Sequence, residues 1–333
     1  MYQGGMEMNR TIRILIALPV VLILILTAAA CTAGDQKTTI GIIQYGEHPA
    51  LDAARQGFID SLKDEGYVDG DNIKIDYQNA QFDQSNLSTI SDRFVSNKVD
   101  LVLAIATDAA QAIAGKTKDI PILGTAITDY VTAGLVKSNE APGGNVSGTT
   151  DMNPIKEQID LLLKLVPDAG TIGVLYTSSE DNSVLQAKIA KEIIEAKGLK
   201  YVEVTITNSN EVQQATQSIV SMCDAIYIPT DNVFASAMPL VYGVTKESKT
   251  PVICGEANMV KNGGLATLGI DYYNLGYQTG KMAVKVLKGE AKPADMPIER
   301  QEKFDYAING EVAEEIGVEI PDDLKEYILK NDN

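Results

Sequence analysis

The chain has 333 residues, 45% of them hydrophobic, and a formal charge of −17. That apolar share is too high for disorder, and the length suits one large domain or two of about 150 residues. So acidic a surface repels phosphate backbones, which excludes nucleic acid as a partner, and it offers no polybasic patch for anionic lipid.

In chain order, Met8, Asn9, Arg10 and Arg13 lead into an apolar run from Ile14 to Leu26, then Thr27, Ala28, Ala29, Ala30 and Cys31. A basic start, a short apolar core and small residues read as a secretory signal. The run is shorter than the about 20 residues that span a bilayer as a helix. Small residues ending at a cysteine resemble the bacterial lipoprotein cleavage site, although Ala28 stands where leucine is usual. The resemblance implies a signal over residues 1–30, a lipid on Cys31 and a polar tether over 31–37. An uncleaved anchor or an ordinary signal peptide are the alternatives.

Beyond the tether, strands and helices alternate. Residues 38–44 read as a strand, 51–65 as a helix with apolar positions at helical spacing, 72–77 as a strand and 84–97 as a helix. Residues 100–106 (DLVLAIA) form the continuous apolar run of a strand buried on both faces. A helix over 108–116 and a strand over 120–125 follow. After the turn cluster Pro142, Gly143, Gly144 and Asn145 the pattern restarts. Helices fall at 154–166, 183–197, 210–222 and 235–248, and strands at 171–176, 200–205, 225–229 and 251–254. Two rounds of one pattern predict two similar α/β lobes with parallel sheets. A short strand before Gly269, a helix over 275–287 and a strand over 304–308 return the chain between lobes more than once. The expected lobes are 38–149 plus 272–296, and 150–271 plus 297–333.

Cys223 and Cys254 fall at opposite ends of two parallel strands, on the order of 15 Å apart at about 3.3 Å per residue. A disulfide needs Cα atoms within about 7 Å, so both are expected as free thiols. One histidine, His48, and no closely spaced Cys/His set argue against zinc, and no cofactor is expected. With Pro49 beside it, His48 reads as a turn or helix-start residue.

In open parallel sheets, ligands bind beyond the carboxyl ends of strands. Polar clusters stand there: Tyr45 to His48, Thr107 and Asp108, Thr125 to Asp129, Ser178 to Ser183, Thr230 to Asn232, and Glu256 to Asn258. Each also reads as an ordinary helix cap, and the two roles are compatible at a helix N-terminus. No phosphate loop, GxGxxG or GxSxG motif is present. Asp231 and Glu256 as paired carboxylates are all that a hydrolase reading has to work with.

The residues at these strand ends carry a resemblance. EHPALDAARQGF (47–58), PILGTAITD (121–129), PGGNVSGT (142–149), LYTSSEDNS (175–183), IPTDN (228–232) and GEANMVKNGGLATLGIDYYNLG (255–276) resemble the ABC-transporter substrate-binding lipoproteins of the tryptophan/tyrosine type. The resemblance spans nearly all of residues 38–321. It implies a type I periplasmic-binding-protein fold, two Rossmann-like lobes joined by a three-crossing hinge, with ligand closed between them. It also implies an extracytoplasmic, lipid-anchored receptor that passes an aromatic amino acid to a permease served by an ATPase. A surface sensor or adhesin on the same fold, or a receptor for another small amphiphile, are the alternatives.

On that reading the ligand carboxylate meets hydroxyls and N–H groups at Thr107, Thr125 and the helix start at Ser179, Asn182 and Ser183. The ammonium meets Asp271 first, Asp231 second or Glu256 third. The ring lies against Tyr45, Phe234 or Tyr272, and Asn232 completes the set. The family's first-lobe run more often reads Thr-Pro where this chain has Thr107-Asp108. The added carboxylate either biases the pocket toward a ligand amino group or caps the helix.

Overall fold

The computed structural model describes Met1 and residues 37–330. The expected signal, Cys31 and most of the tether lie outside the described residues.

Two six-stranded sheets, each flanked by helices, form two lobes. The first contains β1 (Thr38–Gln44), β2 (Ile73–Asn79), β3 (Leu101–Ile105), β4 (Ile122–Ile127), β5 (Val146–Thr150) and β11 (Glu299–Arg300), ordered β11-β5-β4-β3-β1-β2. Its helices include α1 (Pro49–Asp64), α2 (Gln84–Asn97), α3 (Thr107–Lys116) and the later α10 (Tyr272–Leu287). The second sheet is ordered β12-β10-β9-β8-β6-β7, from β6 (Thr171–Thr177), β7 (Lys200–Ile206), β8 (Ala225–Ile228), β9 (Val252–Cys254), β10 (Ala266–Gly269) and β12 (Asp305–Ile308). Only β12 runs antiparallel to its neighbour among the pairings described. The second lobe's helices are α4 (Ile155–Leu165), α5 (Asp181–Ala196), α6 (Val212–Ile219), α7 (Asn232–Ser236), α8 (Met238–Ser248), α9 (Ala257–Lys261) and α11 (Gly310–Ile316).

Central strands β3 and β4 are buried at every position, because crossover helices cover both faces of a parallel sheet. The chain passes between lobes three times: after β5, after β10 and after β11. α10 docks on α1 through Gly57, Gly276 and Gly280. A Cβ at Gly276 would collide with the Ala54 carbonyl, so only glycine allows that helix approach.

Several expectations are corrected. Residues 297–300 do not belong to the second lobe: Glu299 and Arg300 pair with Thr149 and Thr150 in the first sheet. The strand is two polar residues long, too short for any periodicity. β5 and α9 gave no sequence signal either, one small and hydroxyl-rich, the other five residues long. The helix read over 235–248 is two helices, with Pro239 in the first turn of the second. Cys223 and Cys254 are free thiols. Among the described residues no helix is long and apolar enough to cross a membrane.

Candidate functional site

The carboxyl ends of the strands from both sheets face one cleft. From the first lobe and the hinge it is lined by His48, Leu51, Ala126, Asp151 and Tyr272; from the second, by Asn182, Thr230, Asp231, Asn232, Ala235 and Glu256. The space they enclose is about 10 Å³, room for about one water. A larger cavity of about 790 Å³ lies elsewhere, beside the crossings at Thr150, Ile270 and Gln301. The cleft is nevertheless the better candidate, because unpartnered buried polar atoms gather in and around it: His48 Nδ1, Thr107 Oγ1, Asp108 Oδ2, Glu180 Oε1 and Asn182 Oδ1. Buried polar groups are otherwise almost always bonded.

Hydrogen bonds cross between lobes. His48 Nε2 lies 3.2 Å from Asn232 Oδ1. Gln111 Nε2 donates to Asp181 at 2.9 Å, and Gln186 Nε2 to Thr128 Oγ1 at 3.4 Å. The Asn232 amide is oriented by its Nδ2, which donates to Glu180 at 2.8 Å. Its Oδ1 therefore accepts, His48 Nε2 carries the proton, and Nδ1 is left as a free acceptor. Burial pushes the His48 imidazole down to about 4, so it is neutral at pH 7.

Most cleft carboxylates already have work. Asp231 caps α7 through Phe234 N–H at 2.9 Å and accepts from the Thr177 amide and hydroxyl at 2.6 and 2.9 Å. Glu256 caps α9, accepting from the Asn258 and Met259 amides at 2.7 and 2.8 Å; burial pushes its carboxyl up to about 7. Asp151 accepts from the Thr128 and Tyr272 hydroxyls at 3.0 and 2.7 Å, and burial raises it too.

Asp108 and Glu180 differ, because each keeps one oxygen without a partner. Asp108, in the first turn of α3, is held by Gln84 at 2.6 Å through its other oxygen, and burial pushes it up to about 6. Glu180 is fully buried and accepts from the Asn232 amide at 3.1 Å. Burial and the neighbouring Asp231 and Asp108 carboxylates push it well above the usual range. Tyr45 stands among the same acids: burial first, then Glu180, Asp108 and Asp231, hold its phenol protonated. Among the described residues, no lysine or arginine lines the cleft. Two alanines at strand ends, Ala106 (φ 80°) and Ala126 (φ 56°), hold conformations that favour glycine. Such strain concentrates at binding sites.

Of the residues singled out in the sequence, Asn182, Asp231, Asn232, Glu256 and Tyr272 line the cleft. Thr107, Tyr45 and Ser183 are buried around it. Ser183 Oγ lies 3.4 Å from Glu180, and the Tyr45 ring meets Phe82 edge-on at 5.4 Å. The remaining four are elsewhere. Asp271 is exposed and caps α10 through the Asn274 amide at 2.8 Å. Thr125 turns into the first lobe, where its hydroxyl meets Thr149 at 3.3 Å. Phe234 is wholly buried in the second-lobe core, and Ser179 is exposed. Sequence reasoning left Glu180 and Asp151 out of the candidate set; it read His48 as a turn or helix-start residue, and His48 is the N-cap of α1 as well as part of the cleft lining. Glu180 stood inside a polar strand-end cluster already recognised there.

Two sheets of this topology, three crossings and a cleft between the lobes with unpartnered polar atoms in and around it define a type I periplasmic-binding-protein fold. The model of the ABC transporter substrate binding protein family matches residues 39–331, and the chain belongs to that family. It is therefore an extracytoplasmic solute-binding component of an ABC importer. It is 45% identical over 303 residues to a tyrosine-binding protein of Clostridioides difficile, covering 91% of this chain and 88% of that one.

Among solved structures, an ABC domain from Streptococcus pneumonia in complex with L-Trp is 42% identical with a TM-score of 0.85, covering 88% of this chain and all of that one. A ligand-free, open substrate-binding protein with adhesive properties from Clostridium difficile is 47% identical but superposes at 0.68, covering 88% of this chain and 99% of that one. The more similar sequence gives the poorer superposition. Hydrogen bonds that bridge the cleft hold this chain in a closed arrangement.

Proposed function

We propose that the cleft captures an aromatic amino acid and that its ammonium is the anchor. The observation that carries this reading is the pair of unpartnered carboxylate oxygens, Asp108 Oδ2 and Glu180 Oε1. One comes from each lobe, beside a cleft whose described lining holds no lysine or arginine. A primary ammonium supplies three donors, and both lobes must be closed for it to reach both oxygens, which makes closure depend on ligand. The ligand carboxylate then has N–H groups of the first turn of α3, which lack intrahelical partners, and the Thr107 hydroxyl. Similarity to a tyrosine-binding protein and to a tryptophan complex supports the aromatic side chain. The chemistry here is binding: Asp231 and Glu256 both accept from backbone N–H groups as caps, which suits fixed scaffolding better than acid–base turnover.

Titration calorimetry of the full chain with tyrosine, tryptophan and phenylalanine tests the reading. Saturable heat with at least one is expected; silence with all of them overturns it. The membrane tether through Cys31 belongs to the same proposal and has its own test. Cells expressing Cys31→Ser should lose incorporation of labelled fatty acid into the protein and release it from the membrane. Label retained by the variant would remove Cys31 from that role.

A further inference from the structure

The two ends of an amino acid are not served equally here. Around the ammonium, the cleft and its surroundings offer unpartnered acceptors: Asp108 Oδ2, Glu180 Oε1, Asn182 Oδ1 and His48 Nδ1. Around the carboxylate, α3 offers its first-turn amides and the Thr107 hydroxyl, and no lysine or arginine is among the described residues that line the cleft. Asp108 sits in that same turn, 6% exposed, with its free oxygen. A carboxylate in the first turn already satisfies the positive end of the helix. A second carboxylate, on the ligand, meets it as a like charge in a desolvated place. Asp181 and Asp231 add to the negative potential at Asp108, and the described cleft lining holds no lysine or arginine.

Building on the amino-acid reading, we propose that the cleft also binds aromatic primary amines without an α-carboxylate, tyramine and tryptamine among them. Asp108 sets this breadth. Such an amine keeps the ammonium, the ring and every acceptor named above, and it brings a net positive charge to an acidic cleft. What it forgoes is the end of the ligand that Asp108 opposes.

Calorimetry of the full chain at about pH 7.5, where an acid titrating near 6 is ionised, with tyrosine, tyramine and N-acetyltyrosine tests this. Tyramine is expected within about tenfold of tyrosine, and N-acetyltyrosine at least about a hundredfold weaker than tyrosine. Asp108→Asn is expected to weaken tyramine at least about tenfold more than tyrosine. Binding of tyrosine with tyramine more than about tenfold weaker overturns the inference and leaves the amino-acid reading standing. N-acetyltyrosine binding as tightly as tyrosine removes the ammonium anchor, and with it both. No binding of tyramine, with silence also from tyrosine, tryptophan and phenylalanine, overturns both. The ligand comparison needs no variant, so misfolding of Asp108→Asn cannot mask the outcome.

Discussion

His48 and Asn232 meet across the cleft, Nε2 to Oδ1 at 3.2 Å, and Asn232 in turn holds Glu180 through both its backbone amide and its side chain. One asparagine thus ties a lobe-to-lobe contact to the carboxylate with a free oxygen. Asn232→Ala removes both side-chain bonds and leaves Glu180 with one fewer donor. Ligand affinity by calorimetry should fall at least about tenfold, about 1.4 kcal/mol. An unchanged dissociation constant would separate the contact from binding.

Gln111 makes a second bridge, from α3 to Asp181 at the start of α5 at 2.9 Å. It lies at the exposed rim, where a hydrogen bond is worth about 0.5–1.5 kcal/mol net. Gln111→Ala should speed ligand release by roughly 2- to 10-fold in stopped-flow fluorescence and leave the association rate nearly unchanged. A slower release would contradict a closed-state latch.

Acid in the cleft gives the stability a pH dependence whose sign follows from burial. Asp108 titrates at about 6 in the fold, above its ordinary value of 3.8. Both states hold the proton below that ordinary value, so there is no penalty there. As pH rises through about 6 the folded state is penalised for a buried charge. Asp108→Asn should therefore stabilise the ligand-free protein at pH 7 by on the order of 1–3 kcal/mol, and by nearly nothing at pH 4. His48 works the other way: its pKa is depressed to about 4, so its contribution is lost as pH falls from about 6.5 toward 4. Melting temperatures of wild type and Asp108→Asn across that range isolate the aspartate. A difference that did not grow with pH would refute the assignment.

Much of the fold was written in period and punctuation. The all-buried strands read as continuous apolar runs, and Gln84–Asn97 came out with the bounds its spacing predicts. What escaped were elements held by pairing rather than by pattern, Val146–Thr150 and Glu299–Arg300. The site was half legible for a sharper reason. Asp231, Glu256 and Asp271 are all N-cap residues ahead of a helix, alike in sequence. Whether such a carboxylate faces a cleft or solvent depends on which side of the sheet its helix leaves. Whether an oxygen remains free depends on partners far along the chain, such as Gln84 for Asp108 or Asn232 for Glu180. Neither fact has a local signature.

The helix seam between α1 and α10 carries the second crossing and so fixes how the lobes hang together. At Gly276 the neighbouring backbone leaves no room for a Cβ. Overpacking of this kind costs about 1–3 kcal/mol when the neighbours can yield, and here the neighbour is the Ala54 carbonyl rather than a side chain. Gly276→Ala should lower the midpoint of chemical denaturation accordingly. Its effect on ligand affinity, measured under native conditions, should be secondary. A variant as stable as wild type would show that the helices stand further apart.

Asp271 provides the counter-test to the cleft assignments. It is exposed, its carboxylate accepts the Asn274 amide at 2.8 Å, and its backbone carbonyl accepts from Gln301 at 2.6 Å. Its side chain thus serves as a cap at the second crossing. Asp271→Ala should cost about 1 kcal/mol of stability, the usual loss for an N-cap. Affinity for tyrosine or tryptophan should stay within about twofold of wild type, a difference of about 0.4 kcal/mol. Glu180→Gln, by contrast, keeps the shape and removes the carboxyl that an ammonium would ionise and pair with, so it should weaken binding at least about tenfold. If Asp271→Ala weakened binding as much as Glu180→Gln, the ammonium anchor would move from the buried wall of the cleft to its outer edge. The pair of dissociation constants decides between the two positions.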